Sequence, residues 1–383
     1  MIVRIPDKWY IFGIELPYRR TGEQNLKKIN NTYRNLVEWQ ARRQTIREGI
    51  LKHAGLFPLP KRTPLNVVTH GLRELNGYAV ENVIFESVPG FFVSGNLYRP
   101  LHPPENELIP VISRPHGHKK NARFQPEYQT MNATLARMGA MNFIYDMVGF
   151  GENQQVPHNY PRVLMFQIWN SMRVLDFLVG LDGVDATRVG MTGESGGGTQ
   201  TFLCSALDNR VTAPAPLIQV SSGFFGGCTC ESGMPIYKGQ GYKTNFAEIA
   251  ALAAPRPQLI VSDGNDWTRM VPKREFPFIK SVYRLHGAEN KVENVHLQND
   301  VHDLKENKRQ AVYKFYAKTF GLDVSAMTLS DGSIDESATV IEPEEVLHVY
   351  TEEYPRPQSA LKDGDAVLDR FRELGAGKRS EGI

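Results

Sequence analysis

Between residues 109 and 298 the chain repeats one rhythm: a short apolar run, a loop, then a longer stretch of helical periodicity. The apolar runs fall at 109–114 (IPVISR), 141–147 (MNFIYDM), 188–193 (RVGMTG), 215–221 (APLIQVS), 257–263 (PQLIVSD) and 292–298 (VENVHLQ). Each has the length of a buried strand. Helical segments lie between most of them, among them 162–180 and 196–208. Strands whose returns are made by helices run parallel and are covered on both faces. The expected fold class is therefore α/β, with a mostly parallel, doubly wound sheet.

Either side of that block the pattern differs. Residues 22–57 read as helix, with Leu36, Trp39, Ile46 and Ile50/Leu51 on one stripe and charges opposite. The runs YAVENVIFESV and FFVSGNLYRP, joined at Pro89-Gly90, read as a hairpin. The helix at roughly 304–320 carries Tyr313, Phe315/Tyr316 and Phe320 on its inner side. From about 323 the composition turns polar and acidic, ending in a short helix (AVLDRFREL) and a Gly/Ser/Lys tail expected to be loose. The expected division is a helical N-terminal extension over 1–75, a catalytic domain over 76–322 and a polar, partly flexible C-terminal appendage over 323–383.

A formal net charge of +2 marks neither a nucleic-acid surface nor an acidic tail. No apolar run approaches the roughly 20 residues needed to cross a bilayer. The first 20 residues lack the apolar core and small-residue cleavage site of a secretory signal. The chain is thus expected to be cytoplasmic, or periplasmic or secreted if a signal has been removed. Nucleic acid and membrane are not expected partners, and the oligomeric state is left open.

Gly193-Glu194-Ser195-Gly196-Gly197 fits G-x-S-x-G and sits between an expected strand and an expected helix. A serine lifted out of a sheet on such a bend needs small neighbours, because side chains there would collide with strand and helix. The bend also aims the next amide, that of Gly196, at a developing oxyanion. A phosphate-binding P-loop would need a lysine after its last glycine, but Thr199 and Gln200 follow. Ser195 is the expected nucleophile.

A serine hydroxyl is inert near neutral pH without a base, and the base needs an acid to orient it. In this fold class both lie on loops after the last strands, the acid first. His302, ahead of the last helix, is the expected base; His296 falls inside a strand pattern and is expected to be a packed side chain. Asp266 is the expected acid because it stands out on the loop after 257–263; Asp263, at the strand end, and Glu231, after the preceding strand, are its rivals. A second oxyanion donor is expected from His116-Gly117-His118, directly after a strand, with the amide of His118 as the choice. His116, Gly117, Glu194 and Trp267 flank these groups and are the expected substrate-binding residues.

The three cysteines, Cys204, Cys228 and Cys230, are too few for a disulfide framework. Cys228 and Cys230 have no histidine near them in sequence, and His116 with His118 supplies only two ligands. Neither pair is a metal site by itself, so no metal and no cofactor are expected.

Over about residues 25–322 the chain resembles the α/β-hydrolase superfamily and, within it, the acetylxylan-esterase-like bacterial hydrolases. The pieces that carry this are EWQARRQTIREGIL, RTPLNVV, VIFESVPGFFVSGNLYRP, PHGHKKNAR, DMVGFGEN, TGESGGGTQT, GGCTCESG, EIAALAAPRPQLIVSDGNDWT and VHDLKENKRQAVYKFYAKTFGL, in that order. The resemblance implies Ser195, Asp266 and His302 as a catalytic triad and the 116–118 loop as part of the oxyanion hole. It implies a cofactor-free serine carboxylesterase acting on acyl esters, acetyl foremost, of carbohydrates such as xylan. Leu304 departs from the aromatic or glycine common after the residue that matches Asp303, which leaves the pocket rim open. Glucuronoyl methylesterase chemistry is the alternative within the class. A prolyl-oligopeptidase-type peptidase is disfavoured because the N-terminal 80 residues are too short for a propeller.

Overall fold

A computed structural model describes residues 2–5, 8–11, 14–16, 19–103, 107–239 and 241–377. Nine strands form the central sheet: β1 (Val68–Glu74), β2 (Tyr78–Val88), β3 (Phe91–Pro100), β4 (Ile109–Pro115), β5 (Met141–Tyr145), β6 (Val184–Glu194), β7 (Ala213–Leu217), β8 (Gln258–Asp263) and β9 (Val292–Leu297). Their spatial order is β9-β8-β7-β6-β4-β5-β3-β2-β1. β4 to β9 are mutually parallel, while β3, β2 and β1 are added antiparallel at one edge. The chain steps from β4 outward to β5, then returns to lay β6 on the other side of β4. Loops leaving β4 and β6 therefore diverge, and the crevice between their carboxyl ends is where open α/β sheets bind ligands.

Helices cover both faces, as the buried, Val/Ile-rich strands require. α1 (Arg19–Asn30) and α2 (Leu36–Ala54) precede the sheet; α3 (Pro126–Arg137), α4 (Val163–Val179), α5 (Gly196–Leu207), α6 (Glu275–Leu285) and α7 (Glu306–Phe320) connect or follow its strands; α8 (Gly364–Glu373) comes last. α2 begins with a reciprocal cap: the Asn35 side chain accepts from the Glu38 amide, and the Glu38 carboxylate accepts from the Arg34 amide. It ends at Gly55, whose φ of 76° is left-handed and favours glycine. Of the expected stripe, Trp39, Ile46 and Ile50 are fully buried, while Leu36 and Leu51 are half-buried.

The expected N-terminal boundary at residue 75 falls inside a hairpin. β1 pairs with β2 and belongs to the main sheet, and three short antiparallel strands (Ile2–Ile5, Lys8–Ile11, Ile14–Leu16) precede the helices. The 323–377 segment packs closely against the rest of the fold, with Leu347, Val349, Val367 and Phe371 fully buried. Residues 378–383 of the expected loose tail lie outside the described residues.

One buried network fastens that segment. Arg123, fully buried, donates to Asp146 at 2.8 Å and to the Leu347 carbonyl at 2.8 Å, and also contacts Asn96 and Glu152. Glu152 in turn accepts from the amides of Val349 and Tyr350 at 2.8 and 3.0 Å. Removing the cation leaves the buried Asp146 carboxylate without its counter-charge, the costly way to break such a pair. Arg123→Ala is expected to lower unfolding stability by about 3–5 kcal/mol, read from the shift in the urea midpoint at unchanged slope.

Candidate active site

Ser195 sits between β6 and α5 with φ 54° and ψ −121°, a backbone that non-glycine residues rarely adopt. Its amide donates to Leu217 O on β7, and its carbonyl accepts from Thr199 in the first turn of α5. The surrounding glycines are required by close approach. A Cβ on Gly193 or Gly197 would collide with Pro115 O at the end of β4, and one on Gly198 would meet Leu217 O and the Gln219 side chain. A Cβ on Gly196 would land on the His118 ring. Sheet and helix thus close on the bend from three sides, and Ser195 is held at the carboxyl end of β6.

The loops after β8 and β9 bring the next two groups together. His302 Nδ1 lies 2.7 Å from Asp266 Oδ2. A carboxylate only accepts, so Nδ1 carries the proton and Nε2 keeps its lone pair. Asp266 is fully buried, and its other oxygen accepts from the amide and hydroxyl of Thr268 at 2.5 and 2.6 Å. Both oxygens are therefore fixed. The Trp267 ring lies 4.3 Å from the His302 ring on one side and 4.4 Å from Phe224 on the other, and its Nε1 donates to Gln219.

The two rival carboxylates are otherwise engaged. Asp263, fully buried at the end of β8, has one oxygen 3.8 Å from Lys308 Nζ and the other accepting from the Asn265 amide. Burial, and then the charge of Asp266, push its carboxyl well above the usual carboxylate range. Glu231 points the other way, accepting from Thr199, Gln219 and the Gly227 amide. His296 lies on β9, bonded to Ser262 and Gln298.

The loop after β4 departs from expectation in detail. His116 is 1% exposed; its Nε2 accepts from the Met147 amide, which leaves Nδ1–H to face Gly117 O. Gly117 N donates at 2.7 Å to Glu194, whose same oxygen is also held by the Tyr128 hydroxyl. His116, Gly117 and Glu194, expected to bind substrate, lie beneath the loop and brace it from β4, β6 and α3. Trp267, 7% exposed, packs against His302 rather than presenting an open platform. By contrast, the amides of Gly196 and His118 donate no hydrogen bond among the described residues. Sequence reasoning missed Tyr128, whose partner Glu194 lies across the fold, and Thr268, which holds Asp266 from two residues away.

Burial pushes the His116 imidazole down to about 4, so it is held neutral. In acid the unfolded chain takes up that proton first, since an unperturbed histidine titrates near 6.5. Its contribution to stability is full above about pH 6.5 and drains away as pH falls toward 4, reaching about 3 kcal/mol at the limit. Urea midpoints at pH 7 and pH 4.5 are expected to separate less for His116→Gln than for the natural chain; equal losses would remove His116 as a cause.

The sheet order, the serine bend and the loops gathered at the β4/β6 crevice define an α/β-hydrolase. No protein-family model matches the chain, and no curated protein does. Among solved structures, methylesterase BT1017 is 36% identical over 97% of this chain and 84% of its own, with a TM-score of 0.86. The chain belongs to the family of that methylesterase and is a carboxylic ester hydrolase. A candidate acetyl xylan esterase from Bacteroides fragilis (16% identical, TM-score 0.55, 71% of this chain and 80% of its own) and a glucuronoyl esterase from Solibacter usitatus (18% identical, TM-score 0.56, 75% and 94%) share the fold.

Proposed function

We propose that the chain is a serine esterase that removes the methyl group from a carboxylate ester carried by a carbohydrate, with Ser195, His302 and Asp266 as its triad. The observation that carries this is the tautomer fixed by Asp266: a His302 whose Nδ1 is committed has only Nε2 left to act as base. The whole-chain likeness to a methylesterase favours methanol as the leaving alcohol.

In the proposed cycle, His302 Nε2 takes the Ser195 hydroxyl proton as the serine oxygen attacks the ester carbonyl. The Gly196 and His118 amides receive the negative oxygen of the tetrahedral intermediate. His302 returns the proton to the departing alkoxide, releasing methanol and leaving an acyl group on Ser195. It then deprotonates water, which attacks the acyl carbonyl and frees the sugar carboxylate, and Ser195 regains its proton. No metal or redox cofactor takes part in this sequence.

The acetyl-ester reading stands second, favoured by the elements shared with acetylxylan-esterase-like sequences. The two differ in which side of the ester the sugar occupies. Methanol release from glucuronate methyl esters, set against acetate release from acetylated xylan, decides between them. The expected result is a kcat/KM for methanol release at least about tenfold the larger. Faster acetate release would replace the methyl reading with the acetyl one, and cleavage of amides alone would sink both.

A further inference from the structure

Four soft ligands converge beside the serine bend. His118, His158, Cys228 and Cys230 each turn one ligand atom into a common space, and those four atoms all lie within 4.8 Å of one another. His118 Nε2 is 2.9 Å from Cys230 Sγ and 3.2 Å from Cys228 Sγ. None of the four is used by the proposed reaction through its side chain. From this juxtaposition of two imidazoles and two thiols, we infer a structural zinc site that ties together the three loops around Ser195.

The donor set and its dimensions fit that ion. Zn²⁺ favours a closed tetrahedron of Cys and His, with Zn–S about 2.3 Å and Zn–N about 2.0–2.1 Å. Those bonds make tetrahedral edges of about 3.6 Å between N and S and about 3.8 Å between two sulfurs. The His118–sulfur edges, 2.9 and 3.2 Å, need only lengthen by about 0.7 and 0.4 Å, shared between the two atoms of each edge. Harder cations such as Mg²⁺ or Ca²⁺ want oxygen donors, and no carboxylate belongs to this set.

The surroundings hold the ligands in metal-binding form. His158 Nδ1 lies 2.7 Å from the Val148 carbonyl, which can only accept, so Nε2 is left with its lone pair. That Nε2 is buried, and His158 meets the Cys228 thiol. A ligating histidine characteristically donates its other ring N–H to a carbonyl in this way. Phe150 packs edge-on against His158 at 4.4 Å between ring centres and also touches His118, shielding the space from water. The two cysteines, separated by one residue at the start of the Thr229–Ser232 turn, form a ready chelate.

The consequence is mechanical. His118 follows β4, His158 lies on the loop after β5, and the cysteines lie on the loop after β7. A single ion clips three loops that no strand hydrogen bonds join at that level. His118 also supplies the amide proposed for the oxyanion hole, with its ring against Gly196. The ion would position that donor without touching the substrate.

The test uses the full chain, purified reduced, free of any histidine tag and of chelator. Elemental analysis is expected to find about one zinc per chain, falling below about a tenth in Cys228→Ser/Cys230→Ser and in His158→Ala. Because those variants are exposed to misfolding, a second measurement needs none: Co²⁺ exchanged into the natural chain is expected to show the intense visible bands of tetrahedral cobalt with sulfur-to-metal charge transfer. Removing zinc from the natural chain with a strong chelator is expected to lower Tm. The inference is overturned if the natural chain holds less than about a tenth of an equivalent after zinc is offered, or if the double variant keeps its zinc. It is equally overturned if Co²⁺ gives an octahedral spectrum, or if Cys228 and Cys230 are isolated as a disulfide. All these readouts are independent of activity, so they stand whichever ester the enzyme takes.

Discussion

Ser195→Ala is expected to lower kcat for ester hydrolysis by about 10⁵–10⁶-fold while leaving Tm within a degree or two of the natural chain. The size follows from losing the covalent route: with no hydroxyl, water must attack the ester directly, helped only by binding and the oxyanion donors. Stability is spared because the strain at this position belongs to the backbone, with φ 54°, and alanine carries the same Cβ. Labelling with a fluorophosphonate is expected to vanish in the same variant. Activity within tenfold of the natural chain would show that another group performs the attack.

The second large effect is expected from Asp266→Asn. An amide at this position presents either oxygen or NH₂ to His302. The Thr268 amide and hydroxyl hold the other terminus and are best met by the oxygen, which turns the NH₂ toward the imidazole. His302 then keeps its lone pair at Nδ1 and places its proton at Nε2, the wrong tautomer for a base, so kcat is expected to fall by about 10⁴-fold. Raising the pH does not restore it, because the fault is tautomer rather than protonation state. The corresponding Asp263→Asn change is expected to cost activity far less, since Asp263 lies within 4.8 Å of the imidazole but the Nδ1 hydrogen bond goes to Asp266. Equal losses in the two variants would remove Asp266 from its assigned role.

Features whose cause is local were legible in the sequence. The hairpin of β2 and β3 is found at the residues read from alternation and the Pro89-Gly90 turn. The G-x-S-x-G stretch lies on a strand-to-helix bend as its spacing implied. β1 escaped detection because an exposed edge strand has no apolar face to display; only His70 and Arg73 along it are even half-buried. The role of the 323–377 segment was hidden for another reason. It is held largely through backbone groups, the carbonyls of Val346, Leu347 and His348 and the amides of Val349 and Tyr350, and composition carries no trace of them.

The site divides along the same line. Each group placed at a strand end could be read from the strand that precedes it, which is why the bend at Ser195 and the two loops whose Asp266 and His302 meet were legible, and the triad proposed for them rests on that placement. The substrate-binding expectation for His116, Gly117 and Glu194 rested on adjacency in sequence, whereas in the fold Gly117 and Tyr128 bond to Glu194 and His116 bonds to the Met147 amide. Cys228 and Cys230 lacked a histidine within reach in sequence; in space they have two, delivered from residues 110 and 70 or more positions upstream. Ligand spacing along a chain finds only those sites built on one loop.

The Arg123 network has a bearing on how the polypeptide matures. Its guanidinium is made 224 residues ahead of the Leu347 carbonyl that completes its shell. Glu152 waits likewise for Val349 and Tyr350. A chain cut near residue 322 would keep the Arg123–Asp146 pair but lose the Leu347 carbonyl and the two amides that hold Glu152, so this edge of the sheet can close only after the segment through Tyr350 has been made.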